Sequence, residues 1–358
     1  MRNHFECYWH SIISDELQTT WTPAIKAGLR AVSWPYSLVT KLRNYGYDKN
    51  WFSIHQPEET TVISVGNIVV GGTGKTPLTL RLIQDLGAEN VSILSRGYRS
   101  KAEKLPIPVF LSEGNGPKHS VDYCGDEPFL MASRHPEAYV VVGKDRCQSA
   151  KMSAAAGRRI LILDDGLQHR RLKRDFEIIV VDADDPFGKG YLFPRGLLRE
   201  SPKALARADL IVAVGNNTEH VRHQLIRYST APVVCMRLEA NTRNYREKKV
   251  GIFCGIAKPE RFCNTLEEAG VNIVDKLYCP DHSLPNAMDL SAFSDHCRAL
   301  GAEALLCTEK DAVKLHPGTV TSLSIQPIRA DLSIISGYEF WASFIQNIKA
   351  TAMSNIKS

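Results

Sequence analysis

At 358 residues, with 44% hydrophobic and 23% charged residues, the chain has the composition of a folded protein with room for one large core or two moderate ones. A formal net charge of +5 is too small an excess to point to nucleic acid, though it suits an anionic ligand or an anionic membrane surface. Nine cysteines, odd in number and without a C-x-x-C pair, argue for a reduced chain and against a disulfide framework or a zinc site. No apolar run approaches the roughly 20 residues that span a bilayer. Residues 1–10 are polar and aromatic, unlike a signal peptide, so the chain is expected on the side where it is made.

Residues 15–50 read as helices joined by turns, with breaks near Pro23 and Pro35. Leu29, Val32, Leu38, Val39 and Leu42 recur at helical spacing. Trp21, Trp34, Tyr36, Tyr45, Tyr47 and Trp51 lie among Lys26, Arg30, Lys41 and Arg43. That mixture suits a lipid–water interface, and it serves equally as a helical pair packed on the domain behind it. From residue 57 the pattern changes to short β-branched runs alternating with helical stretches. Strands are expected at 61–65, 91–94, 138–142, 160–163, 176–181 and 210–214, with a helix at 77–86. This is the pattern of a doubly wound, mostly parallel α/β sheet. Residues 216–241 are loosely patterned and read as a connection between lobes. A second, smaller α/β unit follows, with strands at 250–254, 272–276 and 304–307 and a helix at 259–269. The expected organisation is 1–56 interfacial helices, 57–247 main domain, 248–340 C-terminal lobe and 341–358 tail.

The strand ending in Gly66 leads into Asn67-Ile68-Val69-Val70-Gly71-Gly72-Thr73-Gly74-Lys75-Thr76 and then a helix. Glycines let backbone N–H groups close around a nucleotide β-phosphate, and the helix N-terminus adds partial positive charge. Lys75 is placed to reach the β- and γ-oxygens of ATP, and the Thr76 hydroxyl to ligate Mg²⁺. The strict P-loop pattern has glycine where Val69 stands. The lysine that precedes the paired glycines in partitioning-type ATPases is Val70 here.

Ile160-Leu161-Ile162-Leu163 ends in Asp164-Asp165, the position where P-loop enzymes hold Mg²⁺ or its water. Asp182 ends a similar strand, but a single strand-end aspartate is often a turn residue. Side chains at the carboxyl ends of parallel strands face the ligand. That rule brings in Ser95-Arg96-Gly97-Tyr98-Arg99, suited to an anionic sugar phosphate, and Gly143-Lys144-Asp145-Arg146. Asp126 or Glu127 reads as a helix N-cap, which leaves the other acid spare. Residues 187–200 form a glycine-containing loop of the kind that covers substrates or simply lies in solvent. Pro280-Asp281-His282 is a lone acid–histidine step, a pattern more often structural than catalytic.

Together these segments resemble the tetraacyldisaccharide 4'-kinase family of lipid A biosynthesis. The matching pieces include Ser64-Val65-Gly66-Asn67, Gly71-Gly72-Thr73-Gly74-Lys75-Thr76-Pro77, Ser95-Arg96-Gly97-Tyr98 and Gly125-Asp126-Glu127-Pro128. They continue through Asp164-Asp165-Gly166-Leu167-Gln168-His169, Pro194-Arg195-Gly196-Leu197-Leu198-Arg199-Glu200, Pro280-Asp281-His282 and Thr308-Glu309-Lys310-Asp311. Leu167 stands where the family usually has phenylalanine, and Arg195-Gly196 where it has alanine-glycine.

The resemblance implies a P-loop fold and transfer of the γ-phosphoryl group of ATP, with Mg²⁺, to the 4'-hydroxyl of a tetraacylated glucosamine disaccharide 1-phosphate. It implies a peripheral or monotopic protein on the cytoplasmic face of the inner membrane, docked by its N-terminal helices, with no nucleic acid and no obligate protein partner. By the same matching, Asp126 resembles the carboxylate that takes the sugar hydroxyl proton, and His282 its supporting partner. Asp164 and Asp165 resemble the Mg²⁺-side acids, with Glu200 beside them. Arg96, Tyr98, Arg146, His169 and Arg199 resemble headgroup contacts. A P-loop switch ATPase acting on a protein or membrane is the reading from another class; Val70 and the spare acid Asp126 speak against it. A small-metabolite kinase would leave the interfacial helices unexplained.

Overall fold

The computed structural model describes residues 8–9, 11–13, 17–316 and 318–355. The reading of residues 1–10 as polar and unlike a signal peptide therefore falls almost entirely outside the described residues. Along the chain the elements are α1 (Thr22–Asp48), β1 (Thr61–Gly66), α2 (Lys75–Leu86), β2 (Val91–Ser95), β3 (Val109–Glu113), α3 (Val121–Cys124), α4 (Asp126–Arg134), β4 (Tyr139–Val142) and α5 (Arg146–Ala155). They continue as β5 (Ile160–Asp164), β6 (Phe176–Asp182), β7 (Leu210–Val214), α6 (Thr218–Leu225), β8 (Val233–Ala240), β9 (Lys249–Cys254), α7 (Pro259–Glu268) and β10 (Asn272–Tyr278). The last are α8 (Ala287–Ala299), β11 (Ala304–Thr308), α9 (Glu309–Ala312), β12 (Ile325–Ile328), β13 (Ala330–Ser336) and α10 (Tyr338–Asn355).

The chain forms two compact units, one of Met1–Lys75, Ala150–Arg237 and Ile334–Ser358, the other of Thr76–Ser149 and Leu238–Ser333. The expected boundaries at 56, 247 and 340 do not coincide with these units. Hydrophobic periodicity reports local elements, whereas membership of a core is decided by long-range packing that no local pattern encodes.

In the first unit, five parallel strands run in the order β8-β7-β6-β1-β5. Every residue of β1, β5 and β7 is buried. Strands covered on both faces have no polar side, which is why they read as unbroken apolar runs. β8 and α6 occupy the stretch expected to be a mere connection; the strand alternates only in its second half, where burial gives way to exposure. The expected tail is instead α10, whose Trp341, Phe344, Ile345 and Ile348 are buried. Phe344 packs edge-on against Phe176 at 5.4 Å, and Asn355 donates to the Thr60 carbonyl at 3.2 Å.

Residues 22–48 form one helix, not several. Pro23 sits at its start, where the missing N–H has no partner to lose, and Pro35 is carried inside. The helix is amphipathic in an inverted sense. Its polar side faces the protein: Ser33 Oγ donates to the Leu192 carbonyl at 3.0 Å and Tyr36 OH to the Arg199 carbonyl at 3.0 Å. Its apolar arc of Trp34, Leu38, Val39 and Leu42 is exposed, Trp34 by 75%.

In the second unit β2 and β4 are parallel, with β3 antiparallel at β4, and a separate parallel sheet runs β10-β9-β11-β12. β3 and β12 are strands that the sequence pattern did not reveal.

Candidate active site

The first unit carries the glycine-rich loop that follows β1, held by two close backbone approaches. A Cβ on Gly66 would lie 2.4 Å from Leu167 Cβ, and one on Gly166 would lie 2.3 Å from Ser64 Oγ. Only glycine at both places lets the loop after β5 cross the end of β1. That crossing brings Gln168 Nε2 to the Asn67 carbonyl at 3.1 Å, while Asn67 Nδ2 donates to Val69 O at 2.6 Å and to Thr73 Oγ1 at 2.9 Å.

Val69, the departure from the strict pattern, is buried and bridges Leu198; the Val70 N–H donates to the Leu197 carbonyl at 2.7 Å. The chain here pairs as a short strand before it turns, so a side chain is useful where a tighter loop would need glycine. Gly71 and Gly74 take φ of +108° and +95°, and a Cβ on Gly71 would meet nothing within 4 Å. The loop is open on that side.

At the carboxyl end of β5, Asp165 adopts a left-handed φ of +51°, strained for a residue with a Cβ. Its carboxylate sits 3.3 Å from Lys75 Nζ and accepts from Arg199 Nη1 at 2.7 Å. Desolvation works against ionisation, but Lys75 and Arg199 outweigh it and hold the carboxyl well below the usual carboxylate range. The Arg199 guanidinium also reaches Gln168 Oε1 at 3.3 Å. The arginine expected at a headgroup is therefore engaged with the nucleotide loop.

Glu200, expected beside the metal, is almost fully buried. Its carboxylate accepts from Arg43 at 3.3 Å, Asn44 at 2.7 Å and Arg207 at 2.8 Å. Those three donors tie it to α1 and to Arg207. His169 lies in the loop after β5 with its carbonyl accepting from Arg174 at 2.9 Å. Asp164 is buried at the strand end, and Thr76 follows Lys75 directly in α2.

The second unit carries a different chemistry. Gly125, with φ +95°, precedes α4, so Asp126 is the first helical residue and neither it nor Glu127 is the N-cap. Asp126 Oδ2 lies 2.8 Å from Nδ1 of His282. The histidine is fixed by its backbone: φ is +65°, and its N–H donates to the Gly255 carbonyl at 3.0 Å. A Cβ on Gly255 would come within 1.9 Å of the Ser283 carbonyl oxygen, so the turn seats only on glycine.

Burial pushes the Asp126 carboxyl up, but the hydrogen bond with His282 and the charge of Lys310 reverse the effect and leave it below its ordinary value. The same hydrogen bond raises the His282 imidazole, against burial and Lys310. Lys310, the second residue of α9, stands 3.4 Å from His282 Nε2 and 3.1 Å from Glu127 Oε1. Tyr98 meets the His282 ring edge-on at 6.4 Å and is exposed, with the Arg99 guanidinium 5.2 Å above its ring. Arg96 pairs with Glu103. Arg146 is buried and donates to the carbonyls of Gly143 and Lys144, so it braces its own loop.

One unit thus gathers the glycine-rich loop with its lysine and strand-end acids, and the other a buried carboxylate–imidazole pair. The model of the tetraacyldisaccharide-1-P 4'-kinase family matches residues 25–348. The chain belongs to that family. A tetraacyldisaccharide 4'-kinase of Chlamydia pneumoniae is 41% identical over 303 residues, covering 80% of this chain and 82% of the relative. One from Syntrophus aciditrophicus is 37% identical over 312 residues, covering 79% and 82%. A crystal structure of the Aquifex aeolicus LpxK in complex with ATP superposes with a TM-score of 0.73 at 28% identity, covering 90% of this chain and 99% of that one.

For a tetraacyldisaccharide-1-P 4'-kinase family member, two features of the geometry were not legible beforehand. Lys310 was visible only as part of Thr308-Glu309-Lys310-Asp311. The Lys75–Asp165–Arg199 cluster joins residues up to 124 positions apart and has no sequence signal at all.

Proposed function

We infer that the chain is an ATP-dependent tetraacyldisaccharide 4'-kinase of lipid A biosynthesis that phosphorylates the 4'-hydroxyl of a tetraacylated disaccharide 1-phosphate. The observation that carries the reading is the Asp126–His282 pair at 2.8 Å, because a hydroxyl attacking phosphorus needs a nearby proton acceptor. A nucleotide switch has no use for one.

In this reading Asn67 to Thr76 cradle the phosphates of ATP, and Lys75 neutralises the charge that develops on the transferred group. Asp126 accepts the hydroxyl proton as the new P–O bond forms and the bond to the ADP oxygen breaks. His282 orients the carboxylate and shares the proton. Mg²⁺ would be held by hard oxygen donors, the Thr76 hydroxyl and the Asp164 and Asp165 carboxylates, a donor set that fits that ion, and would supply positive charge against the phosphates. Tyr98, Arg96 and His169 are the acceptor-side candidates, while Arg146 and Arg199 are positioned by their contacts to support loops.

Among the described residues no helix is long and apolar enough to cross a membrane. The outward apolar arc of α1, with its polar side bonded to the protein, supports docking on the surface of the inner membrane at its cytoplasmic face. The test is transfer of labelled phosphate from ATP to the disaccharide lipid. Lys75→Ala and Asp126→Ala should be nearly inactive; an Asp126→Ala variant with most of its activity would overturn the assignment of the base.

A further inference from the structure

Three turns of the second unit meet at one ammonium. Lys310 is the second residue of α9, which follows β11, Asp281 and His282 follow β10, and Asp126 and Glu127 begin α4. Lys310 Nζ lies 3.1 Å from Glu127 Oε1, 3.8 Å from Asp281 Oδ1, 3.9 Å from Asp126 Oδ2 and 3.4 Å from His282 Nε2. Its side chain is 18% exposed. Three carboxylates and one imidazole thus lie around this ammonium.

The chemistry of these atoms fixes a protonation pattern. An ammonium can only donate, so in the neutral imidazole the His282 Nε2 at 3.4 Å accepts from it, while the Asp281 carboxylate lies farther from the same nitrogen at 3.7 Å. A neutral imidazole that accepts at Nε2 carries its proton on Nδ1, which then donates to Asp126 Oδ2 at 2.8 Å. The carboxylate keeps its charge and remains free to receive one proton.

We propose that Lys310 is the positioning residue of the Asp126–His282 pair: its ammonium fixes the Nδ1–H tautomer of His282 and supplies the counter-charge that keeps Asp126 ionised in a buried place. The proposal rests on the reading of Asp126 as the base.

Other groups that face the pair do not compensate. Lys314 lowers the Asp126 carboxyl as well, but its ammonium is bound to Asp311 at 2.8 Å. The Cys124 thiol is pushed up to about 12 by burial and stays protonated. Asp281 and Glu127 are anions and act in the opposite sense. The three carboxylates raise Lys310 above its ordinary value against burial, so it remains charged through the range in which the enzyme would work.

The test compares the full-length protein with Lys310→Met, Lys310→Arg and Asp126→Asn, by labelled phosphate transfer to the lipid from pH 5 to pH 9. With the cation gone, the neighbouring Glu127 and Asp281 carboxylates raise the Asp126 pKa, and the base is active only above it. Lys310→Met should therefore move the acidic limb of the kcat profile to higher pH. The loss of kcat should be on the order of tenfold to a hundredfold on the acid side and shrink as pH rises, with KM for ATP unchanged. Lys310→Arg keeps the charge and should return the limb toward its original position.

A Lys310→Met profile that coincides with wild type, or a loss equal at every pH that Arg does not relieve, overturns the proposal. Activity surviving in Asp126→Asn would instead overturn the base itself, so the two failures are distinguishable.

Discussion

The Tyr36 hydroxyl of α1 donates to the Arg199 carbonyl at 3.0 Å, and the guanidinium of the same arginine holds Asp165 at 2.7 Å. The helix proposed to meet the membrane is therefore bonded to the residue that braces the nucleotide loop. Burial raises the Tyr36 phenol, which stays a neutral donor. Tyr36→Phe removes one hydrogen bond and should cost about 1 kcal/mol of stability. It should also raise KM for ATP a few-fold, measured by nucleotide titration at fixed lipid.

Glu200 is the second tie. Glu200→Ala leaves Arg43 and Arg207 without their shared anion and should cost about 2–3 kcal/mol. That is less than a fully buried pair because both arginines reach solvent. A lowered melting temperature with an unchanged Mg²⁺ dependence of activity would separate this anchoring role from metal binding; a shifted Mg²⁺ requirement would restore Glu200 to the metal set.

Two glycines give opposite signatures. Gly66→Ala places a Cβ 2.4 Å from Leu167 Cβ, and relieving that contact should cost about 1–3 kcal/mol and weaken binding of a fluorescent ATP analogue. Gly255→Ala pushes on the Ser283 carbonyl and displaces His282. It should lower kcat while nucleotide affinity stays within experimental error.

The Asp126–His282 pair also predicts how stability depends on pH. Asp126 has a lowered pKa, so its contribution is present above the ordinary carboxylate value and is lost as pH falls through the folded one. His282 has a raised pKa; its contribution is full below about 6.5 and is lost as pH rises through the folded value. The difference in melting temperature between wild type and His282→Gln should be largest near pH 5–6 and narrow above neutrality.

Because α1 is bonded to the nucleotide half, deleting it would confuse docking with folding. Trp34→Ser, Leu38→Ser and Leu42→Ser together change only the exposed arc. Partitioning onto anionic vesicles in a flotation assay should fall on the order of a hundredfold, with ATP binding intact. Unchanged flotation would remove the arc from membrane docking.

The sequence by itself determined the elements that repeat a local rule. Fully buried parallel strands appear as apolar runs, a glycine-rich loop as glycines between strand and helix, and candidate acids as charges at strand ends; Lys75, Asp164 and Asp165 were legible that way, while Asp126 stood out only as a spare acid at a helix start and through the family resemblance. Tertiary structure decided what those charges face. Arg199 turned out to serve Asp165, Glu200 to serve α1, and Lys310 to serve a histidine 28 positions away, because an ion pair is set by three-dimensional distance and burial. It also decided that residues 341–355 are a packed helix and that one helix carries Pro35, since apolar faces show their purpose only when the surface they cover is present.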